Sequence, residues 1–118
     1  MADMDFFLPR DDLPRMGPED TRIESLHVEP YPDGERLLVK IRLTPFQVRP
    51  HIELTLSDAH GDEVAAASIV EPLSWQLQLT LHLRGAPAGP FRLEARLFFP
   101  DGPQAEPVST AFEVAPRP

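Results

Sequence analysis

The clearest pattern in the chain is a strict alternation of apolar and polar residues from Trp75 to Leu83. Every odd position in this stretch is apolar and every even position is polar, as expected for a strand with one buried and one solvent-facing side. Weaker alternations, separated by turns that contain proline and glycine, recur from about Ile23 to Val114. The pattern predicts an all-β domain.

The alternations predict about seven strands, and their even spacing is typical of two antiparallel sheets packed face to face. The expected strands are residues 21–29, 36–44, 51–57, 63–70, 75–83, 91–99 and 108–114. In the first strand Ile23 and Leu26 are out of phase, which predicts a bulge or a strand switch near Glu24 and Ser25. The three consecutive alanines of segment 63–70 could instead form a helical turn, but Val64, Ile69 and Val70 favour a strand at a sheet edge.

The inward positions of these strands are expected to form one hydrophobic core. They include Leu37, Val39, Ile41, Leu43, Ile52, Leu54, Leu56, Phe91, Leu93, Ala95, Leu97, Phe99, Val108, Phe112 and Val114. Residues 31–34 and 58–62 are predicted turns, with Gly61 in the left-handed conformation that glycine adopts readily. A 118-residue chain can bury such a core without disulfides or a structural metal.

Residues 1–20 show no periodicity and contain three prolines, so they are expected to form an extended acidic arm ahead of a sandwich spanning residues 21–115. The arm carries an apolar cluster, Phe6, Phe7 and Leu8, between acidic residues. Large apolar side chains are seldom left in water on a polar segment. The cluster is expected either to dock on the chain's own domain or to bind another protein or a second copy.

Composition excludes several classes of function. The net charge of −8 is the reverse of what a protein that binds nucleic acid through its phosphates requires, so no nucleic-acid partner is expected. No apolar run is long enough for a membrane helix, and the acidic beginning of the sequence does not resemble a secretory signal, so a cytoplasmic protein is expected. With no cysteine there is no disulfide, thiolate ligand or thiol nucleophile.

Four segments in the second half of the chain carry a family resemblance: residues 58–64, 77–81, 88–95 and 109–114. They resemble bacterial immunoglobulin-like and fibronectin type III-like modules, in which D-x-x-G-x-x-V, G-x-Y-x-L and T-x-F-x-V patterns are frequent. The resemblance covers about residues 21–115 and implies an immunoglobulin-like sandwich that serves adhesion, spacing or interaction rather than catalysis. The chain differs from many such modules in having Phe91 at the tyrosine position and Trp75 on the fifth strand.

The sequence contains no pattern that points to a catalytic residue, a cofactor or a metal site. The four histidines are isolated from one another, whereas zinc ligands usually come in closely spaced pairs. Two alternatives stay open, a site that uses His51 with Glu53 and a calcium ion held by the acidic hairpin 58–63. Turn chemistry explains the acidic residues of that hairpin equally well.

The solvent-facing side of the sixth strand offers a candidate interaction surface. Arg92, Arg96 and Phe98 alternate along it with Glu94, and Glu53 of the third strand is expected beside them in an immunoglobulin-like topology. Cross-strand pairing between arginine and glutamate is one interpretation of this surface. A protein interface is the other, because apolar residues accompany the charges. Exposure to water is expected to be energetically unfavourable for three apolar side chains, Phe98, Leu38 and Phe46.

These observations predict a non-catalytic module for protein interaction or self-association, with a protein or a second copy as the partner. The expected contact residues are Phe6, Phe7, Leu8, Arg92, Arg96, Phe98 and the strand edge 64–69. The alternatives are a β-sandwich that binds a small ligand or a metal, and a separately encoded accessory domain of an enzyme.

Overall fold

Seven antiparallel strands form two sheets in the computed structural model, which describes residues 14–83, 85 and 88–116. The strands are β1 Ile23–Pro30, β2 Arg36–Leu43, β3 His51–Ser57, β4 Glu63–Val70, β5 Gln76–His82, β6 Gly89–Phe98 and β7 Val108–Val114. One sheet has the order β1-β2-β5, and the other has the order β4-β3-β6-β7. The predicted all-β fold with two antiparallel sheets is confirmed.

The core lies between the two sheets and is built mainly from the inner strands β2, β3 and β6. Their alternation is reproduced residue by residue, because each predicted inward position on these strands is buried. The edge strands contribute less. Of the four inward positions on β7, only Val114 is buried, and Val108, Thr110 and Phe112 are half-buried.

Two predicted local irregularities are also confirmed. The register between β1 and β2 shifts between Ile23 and Ser25, where the sequence loses its phase. In the β3–β4 turn, Gly61 has a φ of 85°, and the Asp58 carboxylate accepts backbone hydrogen bonds from His60 and Asp62 at 2.9 and 3.0 Å. An aspartate that binds the backbone two residues on stabilises such a turn.

The four edge strands define two sides of the sandwich. On one side β1 packs against β7, and on the other β4 approaches β5. Natural edge strands are usually protected from pairing with other chains by charges, prolines or bulges. β1 has its bulge, Glu24, Glu29 and Pro30, and β7 has Glu113. β4 has a register shift against β3 and the exposed Glu63 at its first residues only. Beyond them, residues 64–70 of β4 and the whole of β5 contain no proline, glycine, aspartate, glutamate, lysine or arginine.

The segment before β1 differs from the extended arm that the sequence predicts. Residues Pro18–Asp20 form a turn of 3-10 helix, and Met16 forms a bridge with Phe46. The buried Thr21 hydroxyl donates to the Gly17 carbonyl oxygen at 2.8 Å, which holds the turn against β1. Among the residues that the structure describes, no helix is long and apolar enough to cross a membrane.

Phe46 corrects another expectation, since it is only 6% exposed and does not contribute an apolar patch. Its ring packs edge-on against Trp75, with a centroid separation of 6.0 Å and an interplanar angle of 87°. The Arg15 guanidinium lies over the Trp75 ring, 5.5 Å from its centroid. This cluster anchors the first described residues beside the start of β5.

Candidate interaction surface

The predicted contact residues of β6 lie together on the outer face of the four-stranded sheet. Arg92, Arg96 and Phe98 alternate with buried residues, so their side chains share one face. In the register with β3, Arg96 is opposite Glu53 and Phe98 is opposite His51. The expected position of Glu53 beside β6 is therefore confirmed.

The two arginines are held by neighbours across the sheet. The Arg96 guanidinium lies 3.8 Å from a Glu53 carboxylate oxygen and donates to the Gln104 side chain at 3.4 Å. Arg92 donates to the Ser109 hydroxyl on β7 at 2.8 Å. Exposed pairs of this kind contribute little to stability, typically about 0–1 kcal/mol. These contacts nevertheless hold the two guanidinium groups in defined positions beside the apolar part of this face.

The least polar part of the face is a row of three residues in which His51 stands between two apolar ones, Val70 and Phe98; we call it the apolar row. Val70 on β4 and Phe98 on β6 are the register partners of His51 on β3. The His51 and Phe98 rings lie 5.5 Å apart at a tilt of 50°, which leaves Phe98 half-buried. Val70 remains 61% exposed. Val70 and Phe98 thus stand on either side of His51, and aliphatic and aromatic side chains grouped on one exposed face are typical of an interaction surface.

The edge of β4 continues the apolar row toward the β4–β5 side. Between Val64 and Val70 no residue is charged and none is buried, while Ala66 and Ser68 are exposed on the outer face. Within residues 14–83, 85 and 88–116, β4 pairs only with β3. Its other edge therefore presents backbone groups that an added strand can bind.

Sequence reasoning missed two exposed apolar residues that lie in connections between strands. Leu73 is 83% exposed in the connection after β4, and Val48 is 49% exposed in the connection before β3. Both stand in segments without alternation, where a sequence pattern does not indicate burial. Leu38, whose exposure to water was expected to be unfavourable, is half-buried on the outer face of the three-stranded sheet. Phe6, Phe7 and Leu8 lie outside the described residues.

The histidines and acidic groups do not converge in the described part of the chain, where no group of three possible metal ligands occurs. His51 contacts Phe98, and Glu53 pairs with Arg96. On the three-stranded sheet, the Lys40 ammonium lies 3.1 Å from a Glu29 carboxylate oxygen. The hydrogen bond from Lys40 lowers the pKa of Glu29 below its ordinary value, and His27 contributes weakly to this shift.

Asp33 has a structural part in the β1–β2 turn. Its carboxylate accepts hydrogen bonds from the Glu35 backbone N–H and from Arg36 Nε, both at 2.8 Å. These two bonds, the backbone one first, lower the pKa of Asp33 below its ordinary value. Arg36 also lies over the Tyr31 ring, 4.2 Å from its centroid. The turn is thus held by a charged carboxylate.

No family model and no curated protein sequence matches the chain. Among solved structures, the fold is similar to part of a family 76 glycoside hydrolase from a bovine Bacteroides thetaiotaomicron strain, with a TM-score of 0.62 and 17% sequence identity. The match covers 78% of this chain and 20% of that chain, so this chain corresponds to about a fifth of that protein. At this identity the likeness shows a shared fold alone.

Proposed function

We propose that this chain is a non-catalytic interaction module that binds a second copy of itself or another protein through the apolar row and the β4 edge. The observation that carries the proposal is that neither residues 64–70 of β4 nor the apolar row contains aspartate, glutamate, lysine or arginine, in a molecule with a net charge of −8. Surfaces that stay in water usually carry interspersed charges, and interface centres are depleted of them. Arg96 with Glu53 forms a polar border beside the apolar row.

The mode of binding in this proposal combines strand addition with side-chain contact. Backbone groups on the free edge of β4 pair with a strand of the partner, and Val70 and Phe98 contact its side chains. The sandwich that supports them is proposed to be immunoglobulin-like. Seven strands in sheets of three and four support this assignment, as does the resemblance over residues 21–115.

Light scattering coupled to size exclusion tests the proposal, starting with self-association over a range of protein concentrations. We expect Phe98→Asp to weaken association, because it places a charge in the apolar row. Leu38→Asp is the matched control, since Leu38 is also half-buried but lies on the outer face of the other sheet. If the chain is a monomer, the same variants are compared in binding to a purified partner; equal binding by both variants contradicts the proposal.

A second candidate is an accessory domain that acts beside a separate enzyme. It is favoured by the likeness to a region that makes up 20% of a glycoside hydrolase chain. Co-purification with an enzyme from the native source would support it, provided that the enzyme loses activity when this chain is removed. The remaining alternative, a metal-binding sandwich, is tested by elemental analysis of protein prepared without a histidine tag.

A further inference from the structure

The outer edge of β5 is a regular strand edge that lacks the usual protection against pairing. Gln76–His82 pairs with β2 in an unbroken register, from Arg36 opposite His82 to Arg42 opposite Gln76. In the described ranges 14–83, 85 and 88–116, no strand pairs with the other edge of β5. Leu77 and Leu79 are only half-buried beside this edge. The edge therefore offers both backbone groups and apolar side chains to an added strand.

The described part of the chain begins next to the start of this edge. Arg15 stacks on Trp75, which directly precedes β5. Backbone hydrogen bonds fix the segment there, from the Met16 N–H to the Pro45 oxygen at 2.8 Å and from the Gln47 N–H to the Met16 oxygen at 2.9 Å. Thirteen extended residues reach up to about 45 Å, and a strand of seven residues is about 24 Å long. Residues 1–13 are long enough to follow the whole edge.

Residues 1–13 lack periodicity as a whole, but the short stretch 4–8 has one apolar side of the kind that such an edge requires. Met4, Phe6 and Leu8 are apolar at alternate positions, with Asp5 and Phe7 between them. One side of an extended segment is thus wholly apolar, as expected for a strand that covers half-buried leucines.

Charge favours the same placement. Residues 1–13 contain four aspartates and one arginine. The outer face of β2 beside β5 carries Arg36, Lys40 and Arg42 and no acidic residue. Arg36 pairs with Asp33 and Lys40 with Glu29, but Arg42 forms no ion pair with any residue of the described ranges. An acidic segment along β5 complements this basic face.

We propose that residues 4–8 add to β5 of the same chain as an antiparallel strand, with Met4, Phe6 and Leu8 over the half-buried leucines of β5. The direction follows from the attachment point, because the chain runs back from Pro14 along β5 away from Trp75. A short tether gives an effective concentration of about a millimolar, which favours the same chain over a second copy. The inference is independent of the proposed function, which concerns β4 and the apolar row.

Amide hydrogen exchange of β5, measured by NMR on the full chain and on a chain that lacks residues 1–13, tests the proposal. Both samples are compared at protein concentrations at which light scattering shows that they are monomers. In the full chain, the β5 amides that point away from β2 are expected to exchange about tenfold or more slowly than in the shortened chain. Equal exchange in the two chains would overturn the proposal.

Two matched variants keep the test decisive if the shortened chain is insoluble. Phe6→Asp is expected to abolish the protection of β5, and Phe7→Asp is expected to retain it, because the two side chains point to opposite sides of the added strand. Equal behaviour of the two variants contradicts the placement. If the full chain is a dimer and the chain without residues 1–13 is a monomer, the segment docks on the second copy. That result would overturn docking on the same chain.

Discussion

The β1–β7 and β4–β5 sides of the sandwich have edge strands of similar length but different composition. On the β1–β7 side, Ile23 and Val114 are buried, and a bulge, charges and Pro30 interrupt the strand edges. On the β4–β5 side, β4 contributes no buried residue, and its register shift and its only charge, Glu63, are confined to the start of the strand. Neither strand carries a charge from Val64 to Val70 or from Gln76 to His82. One side is closed by packing and protected in the ways that edge strands usually are. The other side has the properties of a surface that receives another segment.

The largest expected effect is on stability, and it compares how tightly the two sides are packed. Ile23→Ala on β1 removes a side chain that is 8% exposed and is expected to lower the free energy of unfolding by about 2–5 kcal/mol. Ile69→Ala on β4 removes a half-buried side chain and is expected to cost about 1–2 kcal/mol, because less apolar area leaves water there. Urea denaturation measures both values. Equal losses of unfolding free energy in the two variants would contradict the conclusion that the β1–β7 side is more closely packed than the β4–β5 side.

The next effect concerns the turn that carries β4. Gly61→Ala forces alanine into a left-handed conformation at a φ of 85° and is expected to lower stability by about 1–2 kcal/mol. Gly17→Ala is the control, because its φ is −71° and the nearest atom to an added Cβ is a Gln47 oxygen at 3.7 Å. The control is expected to stay within about 0.5 kcal/mol of the native protein in the same denaturation experiment. A matching loss at both glycines would mean that the left-handed φ is not the cause.

A charge on β4 is expected to act on association more than on stability. Ala66→Lys and Ala111→Lys place lysine at exposed positions on the two edge strands of the four-stranded sheet. Ala66→Lys is expected to change the free energy of unfolding by less than about 0.5 kcal/mol. Ala111→Lys lies opposite Arg92 and is expected to lower it by about 0.2–1 kcal/mol, because like charges repel across the strands. Only Ala66→Lys is expected to weaken association, by about tenfold or about 1.4 kcal/mol, since it lies on the proposed interface. Sedimentation at several concentrations measures this, and equal weakening by Ala111→Lys would move the interface away from β4.

The smallest effect is a pH dependence located at the β1–β2 hairpin. The pKa values of Glu29 and Asp33 are lowered in the folded chain, by Lys40 and by the Glu35 backbone N–H with Arg36 respectively. A lowered folded-state pKa contributes stability above the unfolded-state pKa, and that contribution is lost as the pH falls through the folded-state pKa. Glu29→Gln is therefore expected to be slightly less stable than the native chain at neutral pH, with the difference vanishing in acid. Urea denaturation at neutral and acidic pH checks this; a difference that grows in acid contradicts it.

The inner strands were predictable from sequence because each has a strand paired on both edges, so that one whole face of the strand packs into the core. Alternation alone identifies the buried positions of β2, β3 and β6, such as Leu37, Leu54 and Leu93. Phe46 was not predictable, since it stands in a connection without alternation and packs against Trp75, which is far from it in the sequence. The helical turn at Pro18 likewise depends on a contact between Thr21 and Gly17 that no periodicity encodes.

The candidate surface was predictable in part for the same reason. Arg92, Arg96 and Phe98 share a face because strand periodicity requires it, and Glu53 follows from pairing β3 with β6. Val70 could not be assigned, because its position opposite His51 depends on the β3–β4 register, which shifts between Leu56 and Ser57. Two adjacent β-branched residues, Ile69 and Val70, gave no indication of which one faces the core.

The central claim is that the β4–β5 side is the interacting side. Residue-resolved amide hydrogen exchange tests it most directly, by comparing dilute with concentrated full-length protein. If the chain is monomeric, the comparison is made with and without a purified partner. The account predicts that the outward-pointing amides of β4 become slower to exchange on association, while those of β1 and β7 do not change. Slower exchange confined to β1 and β7, or an unchanged β4 in the associated state, would contradict it.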